Sequence, residues 1–332
     1  MENKKKAPFF IVGCGRSGTT LLRTLLENHP RIGIPPEGHI FSRFSKLFPL
    51  YGDLSQEVNC KRFVRDLFAD AYVSQFDFGL SEEVFYHRLK ERSLRNCIEL
   101  LFEIHLEKDD KDHWGDKTPS HVHHLQKIKE VFPEAKIIHL FRDGRDVAES
   151  LERVWFSPQN IIDNAIIWKQ RVSAFQEAKE WLPEGDYLEV CYETLAANPD
   201  EEMVRVFMFL GEVPVTTNGM IPETRSIQIL SRAKDGLHSM LSEPISTKKV
   251  GIYKKTFTPR QIALFESIAG DTLKGYGYTL ETDGKARITI AEKIERFFSG
   301  IKYRIVKRMK EPFFVKERFQ SRMRKLRLRL GL

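Results

Sequence analysis

The segment Gly13-Cys-Gly-Arg-Ser-Gly-Thr-Thr20 brings three glycines, one cation and three hydroxyls into eight residues. Glycines allow successive N–H groups to converge on one anion, and a helix opening directly afterwards adds the partial positive charge of its N-terminus. Set against the pattern GxxxxGK[ST], Gly13, Gly18 and Thr20 fit, but Thr19 occupies the lysine position. A kinase or NTPase needs that lysine at the β/γ-phosphates, with a magnesium-holding Asp on another strand. Here Arg16 supplies the cation from inside the loop. The segment is a cradle for a phosphate-like group, and a P-loop kinase is the weaker alternative.

A second constellation is Phe141-Arg-Asp-Gly-Arg-Asp-Val-Ala-Glu-Ser150. Ligands of parallel sheets gather at the carboxyl ends of strands, which puts Arg142 into the crevice beside the Arg16 loop. Ser150, eight residues on, lies about two helical turns further and can turn its hydroxyl toward the same anion. Two anion sites on neighbouring strands imply a ligand with phosphates at separate places. His121, His123 and His124 lack a partner cluster and are expected on a polar helix face. Cys14, Cys60, Cys97 and Cys191 are scattered, without CxxC or zinc spacing. No metal is expected.

These residues need strands behind them. Apolar runs at Phe9–Val12, Lys136–Phe141 and Tyr187–Cys191 predict three buried parallel strands. A helix is predicted over Thr19–Asn28. Another begins at Pro199, capped by Asn198 and stopped by Gly211, and a third follows the capping box Thr258-Pro-Arg-Gln261 and ends near Gly270. Alternating strands and helices define an α/β fold, a P-loop-type, mainly parallel sheet flanked by helices.

Two regions depart from that pattern. Residues 41–86 hold eight Phe and three Tyr, about twice the aromatic density of the chain, and predict a helical insertion (41–110) on the acceptor side. Its aromatics are expected mainly in the core, with an apolar acceptor pocket as the sharper alternative. Residues 285–332 carry 16 Lys and Arg against four Glu, a net of +12, while 1–284 is left at −5, so the chain's +7 belongs to the tail. Ile290, Ile294, Phe297, Ile301 and Ile305, then Phe319, Met323, Leu326 and Leu330 after Pro312, predict basic amphipathic helices. An anionic membrane surface is one expected partner and a solvated or partner-binding arm the other; nucleic acid is not expected. No run reaches the roughly 18–20 apolar residues that span a bilayer.

The sequences GCGRSGTTLLR, LENHP, PPEGHIF, FRDGRDVAES and CYETLAANP together resemble the PAPS-dependent sulfotransferases, nearest to the branch with tyrosylprotein sulfotransferases and bacterial enzymes. The resemblance runs from about Phe9 to Tyr278, which sets a sulfotransferase domain at 1–284 and leaves the tail outside it. It implies that Gly15, Arg16, Ser17, Gly18, Thr19 and Thr20 hold the 5′-phosphosulfate of PAPS. Arg142 and Ser150 would hold the 3′-phosphate, with Tyr192 near the nucleotide and Lys249 and Lys255 as candidates in a covering segment. Lys117, in WGDKTP, matches the lysine near the bridging oxygen. Glu37 matches the base, although Pro36 replaces a frequent second acid. A basic residue after the serine would be Arg153 or none, since Val154 holds the expected place.

The implied reaction is metal-independent in-line transfer of the sulfuryl group to a hydroxyl or amine, giving adenosine 3′,5′-bisphosphate. Glu37, Lys117 and Arg16 are the catalytic candidates, and His39 is the rival base. A non-catalytic nucleotide-binding protein needs neither Glu37 nor Lys117. The acceptor is expected to be a lipid, glycolipid or aromatic hydroxyl, with sugars and peptide tyrosine as alternatives. The expected location is cytoplasmic, with possible attachment at the membrane's inner face.

Overall fold

The computed structural model describes residues 6–216, 245–310 and 323–329. Five strands, β1 (Phe9–Gly13), β2 (Ile32–Gly33), β3 (His113–Lys117), β4 (Lys136–Phe141) and β5 (Tyr187–Cys191), form one parallel sheet in the order β2-β3-β1-β4-β5. The helices that matter for the site are α1 (Thr19–Glu27), α2 (Glu57–Phe68), α3 (Leu94–Glu107), α4 (Gly144–Glu152), α5 (Ile161–Lys179), α6 (Pro199–Phe209), α7 (Pro259–Gly275) and α8 (Ile290–Lys310).

Both faces of the sheet are covered, which is why β1 and β4 are continuous apolar runs. Along β1 the side chains alternate. Phe10 and Val12 pack with Trp114, Ile137 and the aromatics of the insertion, whereas Phe9 and Ile11 join Leu22, Leu25 and Leu26 of α1 and Val206 and Phe207 of α6. A third cluster, Val147, Trp168 and Phe265, fastens α4, α5 and α7 to one another.

Strands β1, β4 and β5 stand where the apolar runs predicted them. Strand β3, His-Trp-Gly-Asp-Lys, has no such run, yet all five residues are buried. Its first three residues are held by contacts from distant parts of the chain instead. The two ring nitrogens of His113 lie 2.7 Å from Glu212 Oε1 and 2.9 Å from the Ala7 carbonyl oxygen. Trp114 stacks on Phe102 with ring centroids 4.3 Å apart. Gly115 lies under the Phe9 ring, where a Cβ would come within 2.2 Å of it.

Helix ends differ in detail from the sequence expectations. The Thr258 capping box forms in full, but α7 runs through Gly270 to Gly275, because Gly270 faces Leu280 and stays inside the helix. Asn198 precedes α6 without a side-chain cap; Pro199 lacks an N–H to satisfy, and Gly211 closes the segment at φ +68°. His121 is buried within a short 3-10 helix, Pro119–His124, edge-on to Phe41, so it does not lie on a polar face.

The insertion is helical and its aromatics are core. Phe41, Phe44, Phe48, Tyr51, Phe63 and Phe76 are buried, with edge-to-face contacts such as Tyr51–Phe63 at 5.0 Å. Part of the tail closes this cluster. Pro312 and Phe319 lie outside the described residues, but the helical segment 323–329 packs onto the insertion. Leu328 is buried in its core. The buried Arg324 guanidinium lies 4.7 Å over the Phe44 ring, 3.5 Å from Asp70 Oδ2 and 3.7 Å from Asp66 Oδ2. Removing one partner of a buried ion cluster leaves uncompensated charge. Arg324→Ala is therefore expected to lower unfolding free energy in urea by about 3 kcal/mol, with Arg324→Lys recovering part of it. A loss below about 1 kcal/mol, the range of exposed pairs, would contradict the packing.

Candidate active site

Every strand delivers a candidate at or just beyond its carboxyl end. Strand β1 leads into the glycine loop, β2 is followed by Glu37, β3 ends in Lys117, β4 precedes Arg142 and β5 precedes Tyr192. The loop geometry demands its glycines. Gly13 has φ +144°, and a Cβ there would stand 2.3 Å from the Leu140 carbonyl oxygen. Gly18, at φ +104°, lies against the Tyr192 ring, which a Cβ would meet at 2.5 Å. Arg16 itself is left-handed at φ +74°, a conformation that non-glycine residues adopt rarely. At Gly15 a Cβ would meet nothing within 4 Å, so the absent side chain leaves open space beside the loop.

Arg16 and the second constellation meet. The Arg16 Nε–H donates to Ser150 Oγ at 3.1 Å. Burial, then the charges of Arg153 and Arg142, lower the proton affinity of the Arg16 guanidinium. Three guanidiniums therefore share one field. Arg142 lies 4.3 Å over the face of Tyr192, with Nη2 3.3 Å from Asp146 Oδ2, and donates to the Lys249 carbonyl. Asp146 also accepts from the backbone N–H groups of Gly251 (2.8 Å) and Tyr253 (3.1 Å), tying the segment 246–253 across the crevice. Arg145, the other arginine of RDGRD, is used differently. It is buried in ion pairs with Asp143 and Glu266 at 2.7 and 2.6 Å, and fixes α4 to α7.

At the other end of the crevice, buried Lys117 donates to Glu37 and lies 3.5 Å from Thr20 Oγ1. The Glu37 side chain keeps 34% of its surface exposed. His39 Nε2 approaches its second oxygen at 3.4 Å. Burial works to raise the Glu37 pKa, but Lys117 and then His39 outweigh it and hold the carboxyl well below the usual carboxylate range. Behind this pair, Asp116 is buried 3.4 Å from His121 Nδ1. Burial pushes Asp116 up to about 6, against the opposing pull of Thr118 and His39. Burial, with His39 and His124, keeps His121 well below its ordinary value.

Among the described residues, several buried polar atoms lack a hydrogen-bond partner, and two of them, Ser17 Oγ and Arg142 Nε, are donors beside the loop and the second arginine. Buried donors of this kind are costly unless something satisfies them. One lies in the glycine loop and one in the second arginine site, so the residues present suit a ligand with two separated anionic groups. Of the sequence candidates, Gly15, Arg16, Ser17, Gly18, Thr19, Thr20, Glu37, Lys117, Arg142, Ser150, Tyr192 and the Lys249 backbone border this crevice. Lys255 is different: it is exposed on the short helix Tyr253–Thr256 and makes no side-chain hydrogen bond or ion pair among the described residues. Arg153 does join the cluster, its guanidinium bidentate on Glu149 and 2.6 Å from Oε2. Asp116 and Asp146 had no signal in the sequence beyond their neighbours, and His121, expected on a polar face, is buried behind the Lys117–Glu37 pair. Among the described residues, no three His, Cys, Asp or Glu side chains converge as a metal site.

The fold is an α/β parallel sheet with a glycine loop and several cations at the carboxyl ends of its strands. Residues 8–215 match the profile of the Sulfotransferase family, and the chain belongs to that family. It is 25% identical over 308 residues to protein-tyrosine sulfotransferase A of Caenorhabditis elegans, covering 88% of this chain and 73% of that one. It is 28% identical over 238 residues to the nodulation protein NoeE of Sinorhizobium fredii, covering 62% of this chain and half of that protein's length. The same fold occurs in the sulfotransferase domain of the curacin biosynthetic pathway, with a TM-score of 0.55 at 18% identity over 83% of this chain and 99% of that one.

Asp116 is expected to make stability pH-dependent. Because burial raises its folded pKa to about 6, above the ordinary aspartate value of about 3.8, the stability it contributes is fully present below that ordinary value and is lost as pH rises through 6. Asp116→Asn is expected to gain about 3 kcal/mol relative to the parent between pH 3 and pH 8, measured by urea unfolding at each pH. A difference that does not change with pH would show that Asp116 titrates normally.

Proposed function

We propose that this chain moves the sulfuryl group of PAPS to a hydroxyl or amine acceptor and releases adenosine 3′,5′-bisphosphate, without a metal ion. The observation that carries this reading is the Arg16–Ser150 contact. It joins the glycine loop to the second arginine site, forming one cationic crevice that ends at the Lys117–Glu37 pair. When bound, PAPS supplies a sulfuryl group already attached to a phosphate leaving group.

The loop N–H groups with Ser17, Thr19 and Thr20 would hold the 5′-phosphosulfate, and Arg142 with Ser150 the 3′-phosphate. Tyr192, fixed between Gly18 and Arg142, would flank the nucleotide. Sulfuryl transfer forms a bond from the acceptor oxygen to sulfur and breaks the bond from sulfur to the bridging oxygen. Arg16 and Lys117 stabilise the electron pair left on that oxygen. Glu37 takes the acceptor's proton, a role that contributes on the order of 10²–10⁴ in rate. Paired with Lys117, Glu37 is ionised but weakly basic. Any anion that draws the Lys117 ammonium away weakens this hold and raises the proton affinity of Glu37 when the acceptor needs it.

Most insertion aromatics are core, but Tyr72 is partly exposed, edge-on to His39 at 4.7 Å and beneath the Arg43 guanidinium at 5.1 Å. That rim supports an acceptor with an aromatic or lipidic body next to its hydroxyl. No helix among the described residues is long and apolar enough to cross a membrane; a cytoplasmic location belongs to the same proposal.

The test uses ³⁵S-labelled PAPS, a fractionated native extract as acceptor source and EDTA throughout. Glu37→Gln is expected to lower turnover at least about 100-fold while still binding adenosine 3′,5′-bisphosphate, and His39→Ala less than about tenfold. Intact turnover in Glu37→Gln with abolition in His39→Ala would transfer the base to His39. Absence of any transfer by the parent protein would overturn the enzymatic reading.

A further inference from the structure

Helix α8 is attached to the body by its polar face. Glu292 forms a bidentate pair with Arg260 (2.8 Å to Nε), Arg296 pairs with Asp163 at 2.8 Å, and the Ser299 hydroxyl donates to the Pro158 carbonyl. At 100° per residue these three side chains lie on one side of the helix. The opposite sector, about 120° wide, holds Ile290, Ile294, Phe297, Phe298, Ile305 and Met309. These six are exposed (Ile290 77%, Phe297 and Phe298 62% each, Met309 75%), and Ile301 in the same sector is half-buried. A surface helix of a globular protein normally buries such a stripe. Here the usual orientation is reversed, and a contiguous apolar face of this kind marks an interaction site.

Charge identifies the occupant. Lys293 and Arg304 border the apolar sector on one side and Lys302 on the other, with Arg308 within it; all four are exposed and form no ion pair among the described residues. A second copy of the chain would bring these cations against their own kind. The body, at −5, offers an anionic surface no comparable attraction. We infer that α8 is an interfacial anchor that lies flat on an anionic lipid bilayer, with Phe297 and Phe298 in the acyl boundary and its cations at the headgroups. Helices of this type seat their apolar face about 5–10 Å into the interface and respond to the anionic lipid content. This inference does not depend on the donor or on the chemistry of the crevice.

The experiment is co-sedimentation of the full chain with vesicles of phosphatidylcholine containing 30% phosphatidylglycerol, or of phosphatidylcholine alone, at low and high salt. Partition onto the anionic vesicles is expected to be at least about tenfold stronger than onto neutral ones and to fall with salt. The double variant Phe297→Ser/Phe298→Ser should lose at least about tenfold of that binding. Its thermal unfolding should be unchanged, since both rings are exposed. Equal sedimentation of parent and double variant, or none by the parent, would overturn the anchor. So would light scattering that shows a dimer abolished by the same two substitutions without vesicle binding.

Discussion

Arg16 lies close enough to Arg142 and Arg153 for the three guanidiniums to repel one another beside the carboxyl edge of one parallel sheet. Holding these cations together with Lys117 at the end of β3 is the constraint around which the site is arranged. The topology forces the encounter. With β1 central and β3 and β4 on either side of it, the chain segments leaving these strands emerge side by side. Each cation is then held by something that neutralises it only in part. Lys117 leans on Glu37, Arg142 on Asp146 and the face of Tyr192, and Arg153 on Glu149. Arg16 has a hydroxyl, Ser150. The field remains positive, and anions are what it is suited to bind.

Neutralisation is complete elsewhere in the same motif. Arg145 meets Asp143 and Glu266, and Glu266 goes on to accept from the backbone of Glu281 and Thr282. One arginine of RDGRD is therefore spent on the fold, while the other, three residues away, stays at the strand end over Tyr192. The division follows from the N-terminus of α4, where Asp143 caps the helix and draws Arg145 inward, leaving Arg142 over Tyr192. Asp116 shows the converse arrangement, a buried carboxyl kept next to Lys117 at a cost to stability, as polar groups behind functional sites commonly are.

The parts of this architecture that rest on local patterns were legible in the sequence. Apolar runs located β1, β4 and β5, and the glycines located the tight loop between β1 and α1 that carries Arg16. What escaped were features fixed by contacts distant in the chain. Strand β3 is stabilised by Glu212, Phe9 and Phe102 rather than by its own hydrophobicity, so no window of five residues reveals it. Asp146 reads as one more charge in a turn until Gly251 and Tyr253 fold over it. Lys255, a candidate of the covering segment, stands exposed, whereas Lys249, six residues earlier, offers its backbone to Arg142. The tail read as one basic extension. In the structure its first helix turns its apolar side outward, and Arg324 and Leu328 belong to the core of the insertion.

On the proposed reading, the crevice binds two separated anionic groups of one ligand, one at the Arg16 loop and one at Arg142 and Ser150. Titration calorimetry with adenosine 3′,5′-bisphosphate, 5′-AMP and 3′-AMP tests it most directly. Removing either phosphate is expected to weaken binding by at least about 100-fold, the order expected when a charge-assisted pair is lost at each site. Equal affinity for the bisphosphate and either monophosphate would contradict it.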